Sequence, residues 1–195
     1  MKIKHASMLS ATAFALLLLS GAAHAGDHDG HGALCSNATL KGAFSFIGHG
    51  VILGLIGGDG KVHPYDPQPI LDDVALVTFD GAGKFDRTDF GMIGGLPKGG
   101  KTTFNPNQKG SYTVNPDCTG TMTIVYTPGG AVPAGVETDL NIVVASDGTL
   151  VESVVYRAVT VGGSSGNGDV TCPKYCEQGV QEYFEGRKIL VYGFR

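Results

Sequence analysis

Beyond residue 25, no stretch of this sequence is apolar for long enough to cross a membrane as a helix, which needs about 20 residues. Lysine and arginine are few and unclustered, which argues against a nucleic-acid backbone as partner. The 31 glycines keep no three-residue period, so a collagen-like chain is excluded. The four cysteines, Cys35, Cys118, Cys172 and Cys176, show no C-x-x-C redox spacing. They have no second close Cys or His pair that would suggest a zinc site. Neither a nucleophile elbow nor a P-loop is expected. The glycines around Ser164 and Ser165 have no lysine after them and no strand-to-helix context. Hydrolase and nucleotide-enzyme readings therefore have little support.

What is present begins with a targeting signal. Lys2 and Lys4 precede the apolar run Ala11 to Leu19, and Ala23-His24-Ala25 forms an A-x-A cleavage box. Residues 1–25 thus read as a secretory signal peptide. No cysteine follows closely, so a lipid anchor is not expected. Removing Lys2 and Lys4 leaves 12 Lys+Arg against 18 Asp+Glu, a net charge of −6. Four cysteines in an exported chain point to two disulfides, with three possible pairings. Periplasmic or secreted localisation follows from the same features.

Residues 26–34 read as a flexible polar tail and 35–195 as one domain. Cleavage after Ala25 would expose Gly26-Asp27-His28. A free amine, two amide nitrogens and a third-position imidazole make a square-planar set that suits Cu(II) or Ni(II). No other cofactor is expected.

The rest of the chain has strand grammar. Met122, Ile124 and Tyr126 alternate with Thr121, Thr123 and Val125, the period of a strand with one buried face. Asn115-Pro116-Asp117 reverses the chain before it, and Asp80-Gly81 and Asp147-Gly148 mark further hairpins. Leu40, Gly42, Phe44 and Phe46 share a face. Gly48-His49-Gly50 reads as an interruption, after which Val51 to Gly58 is either a short strand or a flexible apolar loop. Lys101 to Phe104 reads as a short strand. The segment from Cys172 to Glu185 reads as a helical turn broken at Gly179, with a last strand over Lys188 to Phe194. Cys172 and Cys176 would close a very small loop if paired; pairing with Cys35 or Cys118 would instead staple this segment to the body. Eight to ten antiparallel strands with hairpin connections favour a barrel or sandwich.

Three groups of residues are candidates for function. His49 and His63, with Asp59, Asp66, Asp72 and Asp73, would line a rim. Glu152 and Arg157 would serve a barrel enzyme, although their opposite parity directs them to opposite faces. Exposed Ile52, Leu53, Leu55 and Ile56 would serve protein contact.

Gly42 to Phe46, the Val77 to Phe85 hairpin, Gly110 to Thr123 with its string G-S-Y-T-V-N-P-D-C-T-G-T-M-T, and Ser146 to Val155 cover, with Cys35, about half of the mature chain. These pieces resemble a group of small exported, uncharacterised bacterial and fungal β-barrel proteins, similar in outline to calycin and allene-oxide-cyclase-like barrels. The resemblance implies a closed, calycin-like antiparallel barrel of about eight strands and a Cys35–Cys118 bridge near one rim. It implies no chemistry, and no catalytic residue carries over. The function expected is a non-enzymatic barrel that binds a small apolar ligand or serves as a surface scaffold for another protein. A cyclase- or isomerase-type barrel enzyme is the alternative, and a structural protein without a small-molecule ligand is another.

Overall fold

A computed structural model describes residues 35–190. The expected signal peptide, the polar tail with Gly26, Asp27 and His28, and residues 191–194 of the expected last strand lie outside them.

Eight long strands build the fold: β1 (Lys41–Ile56), β2 (Ile70–Asp80), β3 (Lys84–Ile93), β4 (Asn105–Val114), β5 (Thr119–Tyr126), β6 (Glu137–Val144), β7 (Leu150–Thr160) and β8 (Cys176–Lys188). Each pairs antiparallel with its neighbour in sequence, and β8 returns to pair with β1 from Phe44↔Lys188 to Leu55↔Gln178. The result is a closed eight-stranded antiparallel barrel. Closure leaves no long unpaired edge, which such valine-rich strands would otherwise offer to other chains.

Strict alternation sets which residues enter the barrel. On β2, Leu71, Asp73, Ala75, Val77 and Phe79 point inward while Asp72, Val74 and Leu76 point out. Met122, Ile124 and Tyr126 are buried on β5, in agreement with their period-two spacing.

The two ends differ. Three short hairpins close the narrow end, and each uses an aspartate in the same way. Asp80, Asp117 and Asp147 accept a backbone N–H two residues on, from Ala82 (2.7 Å), Thr119 (3.0 Å) and Thr149 (3.0 Å). Residues 35–40 lie across this end. The Tyr112 hydroxyl donates to the carbonyls of Leu40 (2.8 Å) and Asn37 (3.0 Å), and the Cys35–Cys118 disulfide fastens the segment. Above it Phe79 packs against Phe44, Phe85 and Tyr112 at 5.2, 5.5 and 5.0 Å between ring centroids. The lower barrel is therefore a filled aromatic core. The wide end carries four long connections, residues 57–69, 94–104, 127–136 and 161–175.

Three sequence expectations need correction. Gly48-His49-Gly50 does not interrupt β1, which runs unbroken to Ile56. Gly48 and Gly50 face inward to admit side chains from β8: a Cβ at Gly48 would stand 2.2 Å from the Phe184 ring, and one at Gly50 2.5 Å from Cγ of Glu182. Lys101 to Phe104 is not a strand; β4 starts at Asn105 and passes through Pro106. The Cys172–Glu185 segment contains no helical turn. From Cys176 it is β8, with Val180, Glu182, Phe184 and Gly186 directed inward. The strand ends at Lys188, where the last strand was expected to begin.

Cys172 pairs with Cys176, Cα atoms 5.9 Å apart, within the ordinary range for a disulfide. The bridge closes Pro173-Lys174-Tyr175, and the Tyr175 hydroxyl donates to the Ala134 carbonyl at 2.8 Å, tying two wide-end connections together. Two disulfides place the chain in an oxidising compartment. Among the described residues, no helix is long and apolar enough to cross a membrane.

Candidate functional site

The upper barrel is not filled. A cavity of about 220 Å³ opens at the wide end, with Ile52, Leu71, Ile124, Val132, Ala158 and Val180 among its apolar walls. Beneath and beside it lie charges. β2 contributes Asp73, β3 contributes Arg87 and Asp89, and the 94–104 connection sends Lys98 inward. Parity alone directs the three strand residues to the interior: Asp73 is six positions before Phe79, and Arg87 and Asp89 follow Phe85 by two and four.

These four side chains form a closed ionic quartet. Arg87 donates from Nη2 to Asp73 Oδ1 (2.5 Å) and from Nη1 to Asp89 Oδ2 (2.7 Å), and it also bonds Gln108 Oε1. Lys98 Nζ donates to Asp73 Oδ2 (2.8 Å) and to Asp89 Oδ2. The Tyr126 hydroxyl donates to Asp89 Oδ2 at 2.9 Å. Arg87 also stands over the Phe184 ring, Cζ 5.9 Å from its centroid, which joins the quartet to the apolar core.

Burial works against the Asp89 carboxylate, but the charges of Arg87 and Lys98 outweigh it and hold its pKa well below the usual range. Burial pushes Asp73 upward, with Arg87 and Lys98 pulling against it. Burial also opposes the charge on Arg87 and Lys98, yet Asp73, Tyr126 and Asp89 raise both well above their ordinary values. Two carboxylates face two cations, so the quartet is neutral as a unit. Asp89 Oδ1 and Asn105 Nδ2 occupy facing positions on β3 and β4 and have no hydrogen-bond partner among the described residues.

Glu182 stands apart. It lines the cavity from β8, is only 8% exposed, and makes no hydrogen bond or ion pair among the described residues. Burial pushes its carboxyl up to about 7, Lys98 pulls it down and Asp73 pushes it further up. Between its ordinary 4.5 and about 7, the folded protein retains a proton that the unfolded chain has released. Stability therefore falls as pH rises through that window, and the whole penalty remains above it. Glu182→Gln is expected to change stability little at pH 4 and to raise it by roughly 2–3 kcal/mol at pH 8. Urea unfolding at the two pH values checks this; an equal effect at both would mean that the carboxyl ionises as it does in water.

The residues singled out from sequence are mostly elsewhere. His49 Nδ1 meets Asp72 Oδ1 at 2.7 Å on the outside of β1 and β2. His63 Nε2 meets Asp59 Oδ1 at 3.1 Å within the 57–69 connection, where Asp66 is exposed. Of that expected rim group, only Asp73 enters the barrel. Glu152 and Arg157 both lie outside, not on opposite faces. A register shift between β6 and β7 at Asp139/Leu140 changes the parity, and Arg157 Nη1 pairs with Glu137 (2.5 Å) and Asp139 (2.7 Å), its Nε with Glu177 (2.8 Å). Ile52 and Leu55 are buried in β1, so residues 51–58 do not form an exposed apolar loop.

Two strings spell patterns that were not expected. Gly95-Leu96-Pro97-Lys98-Gly99-Gly100-Lys101-Thr102 satisfies G-x-x-x-x-G-K-[ST], and Gly162-Gly163-Ser164-Ser165-Gly166 satisfies G-x-S-x-G. Neither has the context its chemistry requires. The first contains a three-residue 3-10 turn, Lys98–Gly100, and runs into β4 instead of a helix. The second places Ser164 on a two-residue strand paired with Thr171–Cys172.

Among the described residues, no group of three or more His, Cys, Asp or Glu side chains is arranged to hold a metal ion. Gly26, Asp27 and His28 lie outside them. No family model matches the chain, and neither a curated protein nor a solved structure shows significant similarity to it.

Proposed function

We propose that this chain is an exported, periplasmic or secreted carrier of a small molecule with an apolar body and one polar group. The observation that carries the reading is the division of the barrel interior: packed aromatic side chains fill the narrow half, and a cavity of about 220 Å³ occupies the wide half. Small-ligand sites are concave, mainly apolar and supplied with a few placed polar groups. Here the apolar walls belong to Ile52, Leu71, Val132 and Val180, and the polar groups are Glu182 and the quartet. Proton-transfer catalysis would use the same Glu182. The carrier reading stands first because the other ionisable groups beside the cavity are engaged with one another, leaving Glu182 without a second acid or base. Kinship with calycin-like barrels is part of the same proposal and is supported by the up-and-down strand order.

The test is titration with the neutral, polarity-sensitive dye N-phenyl-1-naphthylamine. The wild-type chain is expected to bind it with enhanced fluorescence. Ala158→Trp, which fills the cavity, is expected to weaken binding about tenfold or more while preserving the near-UV dichroism. Equal binding by both proteins would move the dye elsewhere and end the carrier reading.

One observation favours a second reading, a scaffold that contacts another protein. Ile47 and Val74 face each other across β1 and β2 on the outer surface, with Leu76 beside them, and are 59%, 45% and 46% exposed. This patch, instead of residues 51–58, is the surface such a partner would use.

A further inference from the structure

Resting on the carrier reading, we propose that the ligand is an alkylamine whose ammonium group pairs with the Glu182 carboxylate while its alkyl body lies against Ile52, Val180 and Ala158.

Among the described residues, every charge beside the cavity but one is balanced by a partner. Asp73 and Asp89 are matched by Arg87 and Lys98, each cation bonded to both carboxylates. Tyr126 spends its hydroxyl proton on Asp89. Glu137, at the cavity rim, is held by Arg157. Of the strands flanking β8, β1 presents Gly50 opposite Glu182, and β7 lines the cavity with Ala158, Val159 and Thr160. Gln178, the other polar cavity residue of β8, bonds the Tyr65 hydroxyl at 2.9 Å. His49 and Tyr183, outward neighbours of Gly50 and Glu182, meet edge to face outside the barrel, at 6.2 Å between centroids.

Glu182 is thus the one acid of the cavity without a partner among the described residues, and it is more than nine-tenths buried. A ligand bearing one positive charge completes the balance. An anionic ligand finds both cations already engaged and adds an uncompensated buried charge, which is costly. A neutral alcohol gains only a hydrogen bond, where a charge-assisted one is roughly twice as strong.

Binding in this form also requires the carboxyl to be ionised. With its pKa pushed up to about 7 in the free protein, Glu182 must lose a proton when an ammonium arrives at lower pH. Affinity for the amine should therefore fall about tenfold between pH 8 and pH 6, with proton release at pH 6.

The experiment is isothermal titration of the exported, disulfide-bonded chain with n-hexylamine, 1-hexanol and hexanoate. These probes share a tail and differ in head group. At pH 8, hexylamine is expected to bind about tenfold tighter than hexanol, with hexanoate weakest. At pH 6 the advantage should shrink, and the heat should depend on the ionisation enthalpy of the buffer. Glu182→Gln should abolish the preference for hexylamine over hexanol. The wild-type pH series stands independently if that variant fails to fold. If hexanol and the naphthylamine dye bind but hexylamine is no better, or if hexanoate binds best, the amine proposal is overturned and the carrier survives. Survival of the amine preference in a folded Glu182→Gln protein overturns it as well. If none of the probes binds and the dye does not bind, both fall together.

Discussion

Arg87→Met is expected to lower stability by about 3–5 kcal/mol, measured as a shift in the urea midpoint at constant slope. Arg87 is 4% exposed and its guanidinium reaches three acceptors, on Asp73, Asp89 and Gln108. Methionine restores much of the volume but none of the charge. Asp73 and Asp89 would then share Lys98 alone, leaving one negative charge uncompensated on side chains that are almost fully buried. The cost comes from stranding a charge, not from losing a favourable contact, and a second variant separates these causes. A protein carrying Arg87→Met, Lys98→Met, Asp73→Asn and Asp89→Asn together removes every charge of the quartet and should recover a large part of the loss. A single Arg87→Met variant within about 1 kcal/mol of wild type would mean that the four charges are solvated and do not form a buried unit.

The two disulfides should differ in worth by about a factor of two. Cys35 and Cys118 are separated by 83 positions, Cys172 and Cys176 by 4. In the chain-entropy account, a crosslink stabilises by restricting the unfolded chain, and the restriction grows with the logarithm of the loop. Removing Cys35–Cys118 by paired alanine substitution is expected to cost about 4–5 kcal/mol, and removing Cys172–Cys176 about 2 kcal/mol. The larger loss has a local meaning too. Without its anchor, the 35–40 segment is held over the narrow end by Asn37, Leu40 and Tyr112, and Leu40 is completely buried there. Equal losses from the two double variants, in unfolding monitored by far-UV dichroism, would reject this ordering.

The fold was legible where apolar residues alternate cleanly between turns. Met122, Ile124 and Tyr126, the Asp80-Gly81 and Asp147-Gly148 turns, and the Leu40–Phe46 face all read correctly because period two and turn chemistry point the same way there. The Cys35–Cys118 bridge came from the resemblance, not from spacing. The site was less legible for a physical reason. A polar residue directed into a barrel looks, in sequence, like the end of a strand. Glu182 interrupts the apolar alternation of β8, and the Cys172–Glu185 segment read instead as a helical turn broken at Gly179. Gly48 and Gly50 suggested an interruption because glycine is weak in strands, although they are the space into which Phe184 and Glu182 fit. Asp73, Arg87 and Asp89 could have been assigned to the interior by counting in twos from Phe79 and Phe85. Lys98 could not, because it arrives from a connection whose path no periodicity records. The bulge that turns Arg157 outward likewise has no signal in the local residues.

The strand order has a kinetic consequence. Seven of the eight lateral pairings join strands that follow one another in the chain, so each closes a local loop, through three short hairpins or the four longer connections. The eighth must bring Phe44 to Lys188 across almost the full described length. That seam is expected to be the last to zip and the first to part. Gly50 and Glu182 face each other along it, so the acid of the cavity reaches its buried setting only when the cylinder closes. Hydrogen exchange at the amides of β1 and β8 would then report, residue by residue, on the opening of that seam.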